Sequence, residues 1–154
     1  MSFRIRGLEP AQFRPFFALD DAALMERGMR AMVIDAPHSG PCRVTLRDVE
    51  PGERVLLLQY THQSAHTPYR SAGPIFVSEV GLEPFDKIDT LPPMFSGRPL
   101  SVRAYDKQGM MVNADIAHSD PRDLFGEFFS DPTTDYLHVH LARRGCFACR
   151  VDRN

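Results

Sequence analysis

The segment YLHVHLARRGCFACRVDR, Tyr136 to Arg153, alternates apolar and polar residues on both sides of a central glycine. Alternation with a period of two marks a half-buried strand, so the segment is expected to fold as a β-hairpin. Leu137, Val139 and Leu141 share one face of the first strand, and Phe147, Cys149 and Val151 share one face of the second. A loop Arg143-Arg144-Gly145 pairs Ala142 with Cys146 and places glycine where a three-residue hairpin needs a left-handed residue. Leu141 then opposes Phe147, and Val139 opposes Cys149. Tyr136, His138, His140, Cys146, Ala148 and Arg150 fall together on the opposite face. A slip by one residue would send an apolar set to solvent.

PLSVRAYDKQGMMVNADI obeys the same rule. A loop Lys107-Gln108-Gly109 pairs Asp106 with Met110. Ala104 then meets Val112, Val102 meets Ala114, and the apolar faces Leu100/Val102/Ala104 and Val112/Ala114/Ile116 coincide. FRIRGL, RAMVIDA, CRVTL, RVLLLQYTH and PIFVSEV are further predicted strands, with Pro51-Gly52 as a type II turn pair. LPPMFSGRP reads as loop. Pro10 with Phe13, Phe16 and Phe17 predicts a first helix, and Asp20-Asp21 caps a second over AALMERGM. A third, DPRDLFGEFF, starts near Asp120 with Pro121 at its first position. The expected fold is α+β: a single domain over 1–154, largely one antiparallel sheet with two N-terminal helices and one late helix packed on it.

A chain of 154 residues builds a core without staples. A net charge of −2 gives no reason to expect nucleic acid or an anionic membrane as partner. No stretch approaches the roughly 20 apolar residues of a membrane span, and MSFRIRGLEP lacks the apolar run of a signal peptide. Three cysteines, an odd number, argue against a disulfide framework. A reduced, cytoplasmic protein is expected.

The motif Cys146-x-x-Cys149 invites a zinc knuckle or a redox dithiol. Residues three apart on a strand point to opposite faces, so Cys149 is expected in the core and Cys146 away from it. His138 and His140 are different: alternate strand residues share a face about 6.5–7 Å apart, close enough to converge on one divalent metal. Cys146 and Arg150 lie on that face. The polar stretch THQSAHTPYRSAGP, Thr61 to Pro74, reads as a long loop able to fold over it, supplying His62, His66, Tyr69 and Arg70. His62 and His66 have zincin spacing, but Gln63 stands where a zincin has its glutamate base, and Pro68 leaves little room for the helix. Cys42, beside Arg43, is an outer nucleophile candidate. Arg103 is either the diagonal partner of Asp115 or an anion contact.

The segments FRIRGL, PCRVTLRDVEPGERVLLLQYTHQSAHTPYRSAGPIFV, RAYDKQGMMVNADI and YLHVHLARRGCFACRVDR together resemble the bacterial family catalogued as domain of unknown function 1203. The resemblance spans nearly the whole chain. It implies a small bacterial protein and brings no activity, ligand or catalytic residue with it. Three functions are therefore expected in competition. The first is a protein, enzyme or not, that binds a small anionic molecule through His62, His66, Tyr69, Arg70, Arg103, His138, His140, Cys146 and Arg150. The second is a metal-binding protein with His138 and His140 as the first ligands, completed by His62, His66 or Cys146. The third is a homo-oligomeric interaction module using the same face. A metal site needs at least three of these groups to converge.

Overall fold

The computed structural model describes residues 1–81 and 83–154. The fold is α+β, and its strands form two antiparallel sheets rather than one. The larger sheet contains β1 (Phe3–Arg6), β5 (Asp86–Ile88), β6 (Leu100–Tyr105), β7 (Met111–Ala117), β8 (Tyr136–Leu141) and β9 (Cys146–Arg153), in the order β5-β1-β9-β8-β6-β7. The smaller contains β2 (Arg30–Val33), β3 (Arg54–Gln63) and β4 (Ser71–Ser78), with β3 central.

Each sheet has its own core. Leu100, Val102, Ala104, Leu137, Val139, Cys149 and Val151 cover one face of the larger sheet. They meet Phe125, Phe128 and Phe129 of α3 (Arg122–Ser130), whose i, i+3, i+4 spacing makes one apolar stripe. The α3 start is held by Asp120, whose carboxylate accepts from the Arg122 backbone N–H at 2.9 Å. The smaller sheet buries Val55, Leu56, Leu58, Ile75 and Val77 with Phe13 and Leu24. Leu24 comes from α2 (Asp21–Glu26), capped as expected by Asp20, which accepts from Ala23 N–H at 2.8 Å. The first expected helix is broken into a 3-10 turn, Pro10–Gln12, and one turn of α1 (Arg14–Phe17). Pro15 has no N–H for the ladder, so a continuous helix from Pro10 cannot form.

Four other expectations are corrected. CRVTL is not a strand: the Leu46 N–H returns to the Cys42 carbonyl at 3.0 Å, and Leu46 has a left-handed φ of 50°. Thr61–Pro74 is not one long loop, because β3 runs through Gln63 and β4 begins at Ser71. The β6–β7 turn forms as expected, with Asp106 N–H bonded to Met110 and Gly109 at φ 83°. A bulge at Val112 then shifts the register, so Val102 meets Asp115 and Arg103 meets Ala114. This leaves Val112 and Ile116 exposed on an edge strand and places Asp115 across from the core-facing Val102, away from Arg103.

The β8–β9 hairpin departs in the same way. Leu141, not Ala142, pairs with Cys146, which makes a four-residue turn closed by Gly145 N–H to the Leu141 carbonyl at 2.8 Å. Ala148 is then the extra residue of a bulge, and Val139–Cys149 pairing resumes beyond it. Phe147 is thereby turned to the histidine face and Ala148 to the core.

Candidate metal centre

β8 is central in its sheet, and every one of its residues is buried. Its Leu137/Val139/Leu141 face packs on the core beneath α3. Its other face, Tyr136/His138/His140, meets the smaller sheet. A strand of aromatic and polar side chains in that seam follows from the alternation of the sequence.

The third histidine descends from the smaller sheet. β3 pairs Thr61 with Ala72 and Gln63 with Ser71, so His62 is the unpaired residue of a bulge. Bulges re-aim side chains, and this one directs His62 at β8. Its ring lies edge-on to His138 at 5.8 Å and to His140 at 4.9 Å between centroids. It stacks flat on Phe147, 5.1 Å away with 4° between the planes. The two bulges, at His62 and Ala148, thus act together: one aims the imidazole and the other supplies the aromatic ring beneath it.

One ring nitrogen from each of His62, His138 and His140 lies within 4.8 Å of those of the other two. Three imidazole nitrogens here are buried without a hydrogen-bond partner: His62 Nδ1, His138 Nδ1 and His140 Nε2. His140 Nδ1 is 2.9 Å from the Gly145 carbonyl. A carbonyl can only accept, so Nδ1 carries the hydrogen and Nε2 of the neutral ring presents a lone pair. That is how a metal-ligating histidine is commonly oriented by its outer nitrogen.

All three rings are held neutral. Burial, with the other two histidines, Arg150 and Arg103, pushes His138 down to about 2. Burial pushes His140 down to about 4 against the opposing effect of the Gly145 bond. Burial and Arg103 lower His62. Neutral imidazole is the form that binds metal. Zinc bonds of about 2.0–2.1 Å in a tetrahedron set ligand nitrogens roughly 3.3 Å apart, against the 4.8 Å within which these three lie. A tetrahedral ion held by three protein ligands has a fourth position open.

A cleft of about 430 Å³ opens on His62 and His138, lined among others by Gln63, Tyr136, Phe147 and Arg150. Gln63 is buried and donates from Nε2 to the Tyr136 hydroxyl at 2.7 Å. The Arg150 guanidinium lies 4.0 Å over the Tyr136 ring and bonds Asp152 through Nε at 2.7 Å. Tyr105 stacks on Tyr136 and contacts His138 at 4.9 Å.

Of the remaining candidates, Arg103 neighbours the triad and the others do not converge with it. His66 and Arg70 are exposed, and Arg70 bonds the Ser64 carbonyl within its own turn. Tyr69 is largely exposed and touches Tyr105 edge-on at 6.5 Å. Arg103 sits directly across from His138 and bonds Ser101. Cys146 is half-buried beside the larger core and accepts from Arg43 Nη2 at 3.3 Å. Cys149 is buried opposite Val139. Cys42 is fully buried and its sulfur accepts from the Ser78 N–H, which removes it from any substrate.

Two contributors had no local signal in the sequence. Phe147 is assigned to the core by alternation and reaches the site only through the bulge. Arg43 is fully buried, donating to the Phe147 and Pro41 carbonyls as well as to Cys146. Among the described residues no helix is long and apolar enough to cross a membrane.

No curated protein and no solved structure matches the chain. The family model described as "Protein of unknown function (DUF1203)" matches residues 39–153, a span holding the whole triad, and the chain belongs to that family.

Proposed function

We propose that this protein binds one divalent transition-metal ion through His62, His138 and His140, and uses the open fourth position to take up a small molecule from the cleft. The observation that carries this is the set of buried imidazole nitrogens with no hydrogen-bond partner, in three rings whose ligand atoms converge within 4.8 Å. A buried polar atom left without a partner costs about 1–3 kcal/mol. One ion at the point where the three ligand atoms converge would give each imidazole a partner. An imidazole-only set suits zinc, copper, iron or nickel rather than magnesium or calcium, which prefer oxygen.

The cysteines are not part of the ligand set. Cys42, Cys146 and Cys149 are free thiols, a state suited to a reducing cytoplasm. The small-molecule reading is supported by the cleft, whose volume of about 430 Å³ falls in the range of ligand sites. Its wall brings Arg150 and Lys107 beside two of the three imidazoles.

Elemental analysis of protein purified without an affinity tag, then equilibrated with zinc and desalted, tests the reading. One ion per chain is expected, and His62→Ala, His138→Ala and His140→Ala should each lose it. A substoichiometric trace in the parent chain, or equal metal in the three variants, would overturn it.

A further inference from the structure

A row of side chains runs across the larger sheet at His138. Arg103 on β6, His138 on β8 and Arg150 on β9 are direct cross-strand neighbours on one face. The middle imidazole is flanked by a guanidinium on each side, and Arg43 adds its field at His140. Arg103 lowers the proton affinity of all three imidazoles. Metal sites commonly balance a dication with thiolates or carboxylates among their ligands. Here the ligands are neutral and the surroundings positive, so a bare dication enters against repulsion.

The cleft side of the site offers the remedy. Arg150 lines the cleft beside His62 and His138, and Lys107 reaches it from the β6–β7 turn. Asp135 is the acid among the lining residues. The Arg150 guanidinium is held flat over Tyr136, with Nε committed to Asp152. Its terminal nitrogens make no hydrogen bond among the described residues, and they form the part of the fork that matches a carboxylate or oxyanion.

We infer that the site takes its metal together with a small anion, a carboxylate or inorganic oxyanion, which fills the open coordination position and is held from the cleft by Arg150. The inference rests on the metal reading above and names the class of molecule that completes it. Metal and anion then bind with positive coupling. By linkage each raises the affinity of the other by the same factor.

Cobalt(II) titration of the full chain, followed by visible absorption in a chloride-free buffer of non-coordinating components, measures the coupling directly. Acetate and inorganic phosphate serve as probes. Either should tighten cobalt binding by about tenfold or more and shift the ligand-field bands. In Arg150→Gln the enhancement should fall below about threefold, with Arg150→Lys between the two. Arg144→Gln, in the β8–β9 turn, should keep the full enhancement. Cobalt bound with the same affinity and spectrum with and without both anions overturns the inference while leaving the metal site standing. An undiminished enhancement in Arg150→Gln overturns the role of Arg150. No cobalt spectrum in any buffer overturns the metal reading and this inference with it.

Discussion

Arg43 Nε donates to the Phe147 carbonyl at 2.6 Å, and this bond anchors the bulge that turns the Phe147 ring beneath His62. The guanidinium is fully buried and has no carboxylate partner among the described residues. Its stabilisation comes from two carbonyls and the Cys146 sulfur. Removing it strands those acceptors and opens a void between the smaller sheet and β9.

Arg43→Ala should therefore lower stability by about 3 kcal/mol or more, measured by urea denaturation. Arg43→Lys should recover little, because a single ammonium cannot span three acceptors laid out for a planar fork. A loss under about 1 kcal/mol for Arg43→Ala would show that the bulge is held by other contacts.

Acidification should destabilise the metal-free protein well above the carboxylate range. The ordinary imidazole value is 6.5, whereas His138 is held down to about 2 and His140 to about 4 in the folded chain. Between these limits the unfolded chain binds protons that the folded chain does not. The contribution is complete above pH 6.5 and is lost as pH falls, by roughly 1.4 kcal/mol per imidazole for each unit. Unfolding free energies from urea denaturation at pH 7 and pH 5 should differ by about 3–4 kcal/mol, and His138→Gln/His140→Gln should flatten the difference. A parent protein equally stable at both values would contradict the buried, neutral state of these rings.

Gly145 joins the hairpin turn to the site. Its φ is 75°, and its carbonyl is the acceptor for His140 Nδ1. A Cβ placed there would meet nothing within 4 Å, so backbone strain is the whole cost of a side chain. Gly145→Ala should lower stability by about 1–2 kcal/mol through the left-handed backbone alone. If the turn relaxes to relieve the strain, His140 loses its anchor, and metal affinity should fall by about 10- to 100-fold. Calorimetric titration with zinc, beside thermal unfolding, separates the two effects. A substitution silent in both would show that neither the turn geometry nor this carbonyl matters.

The exposed edge strand β7 offers a direct test of register. Ile116 and Val112 are 43% and 40% exposed. Ile116→Lys should change stability by no more than about 0.5 kcal/mol. The alternation-based register would bury this position and make the same substitution cost several times as much.

What could be read from the sequence divides along a physical line. Period-two alternation identifies β6, β8 and β9 and puts His138, His140 and Arg150 on one face, because facing depends only on parity along a strand; that Arg103 joins them follows from the β6–β8 pairing, which alternation does not give. The Asp20 cap and the apolar stripe of Phe125, Phe128 and Phe129 are equally local. Val112 and Ala148, the residues skipped in the ladders, carry no such mark. Both expected registers fail there, since a bulge is set by contacts distant in sequence, such as the one from Arg43. From the sequence His62 is expected in a loop rather than as the bulged residue of β3. Its meeting with His140 spans two sheets, a relationship that no spacing rule encodes. The split into two sheets is hidden for the same reason.

The most direct measurement of the metal centre is an anomalous-difference map from a crystal equilibrated with zinc at its absorption edge. The expected result is one strong peak about 2.0–2.1 Å from a ring nitrogen of each of His62, His138 and His140, on the cleft side. A map with no peak there, or with zinc only on exposed groups such as His38, would contradict the assignment.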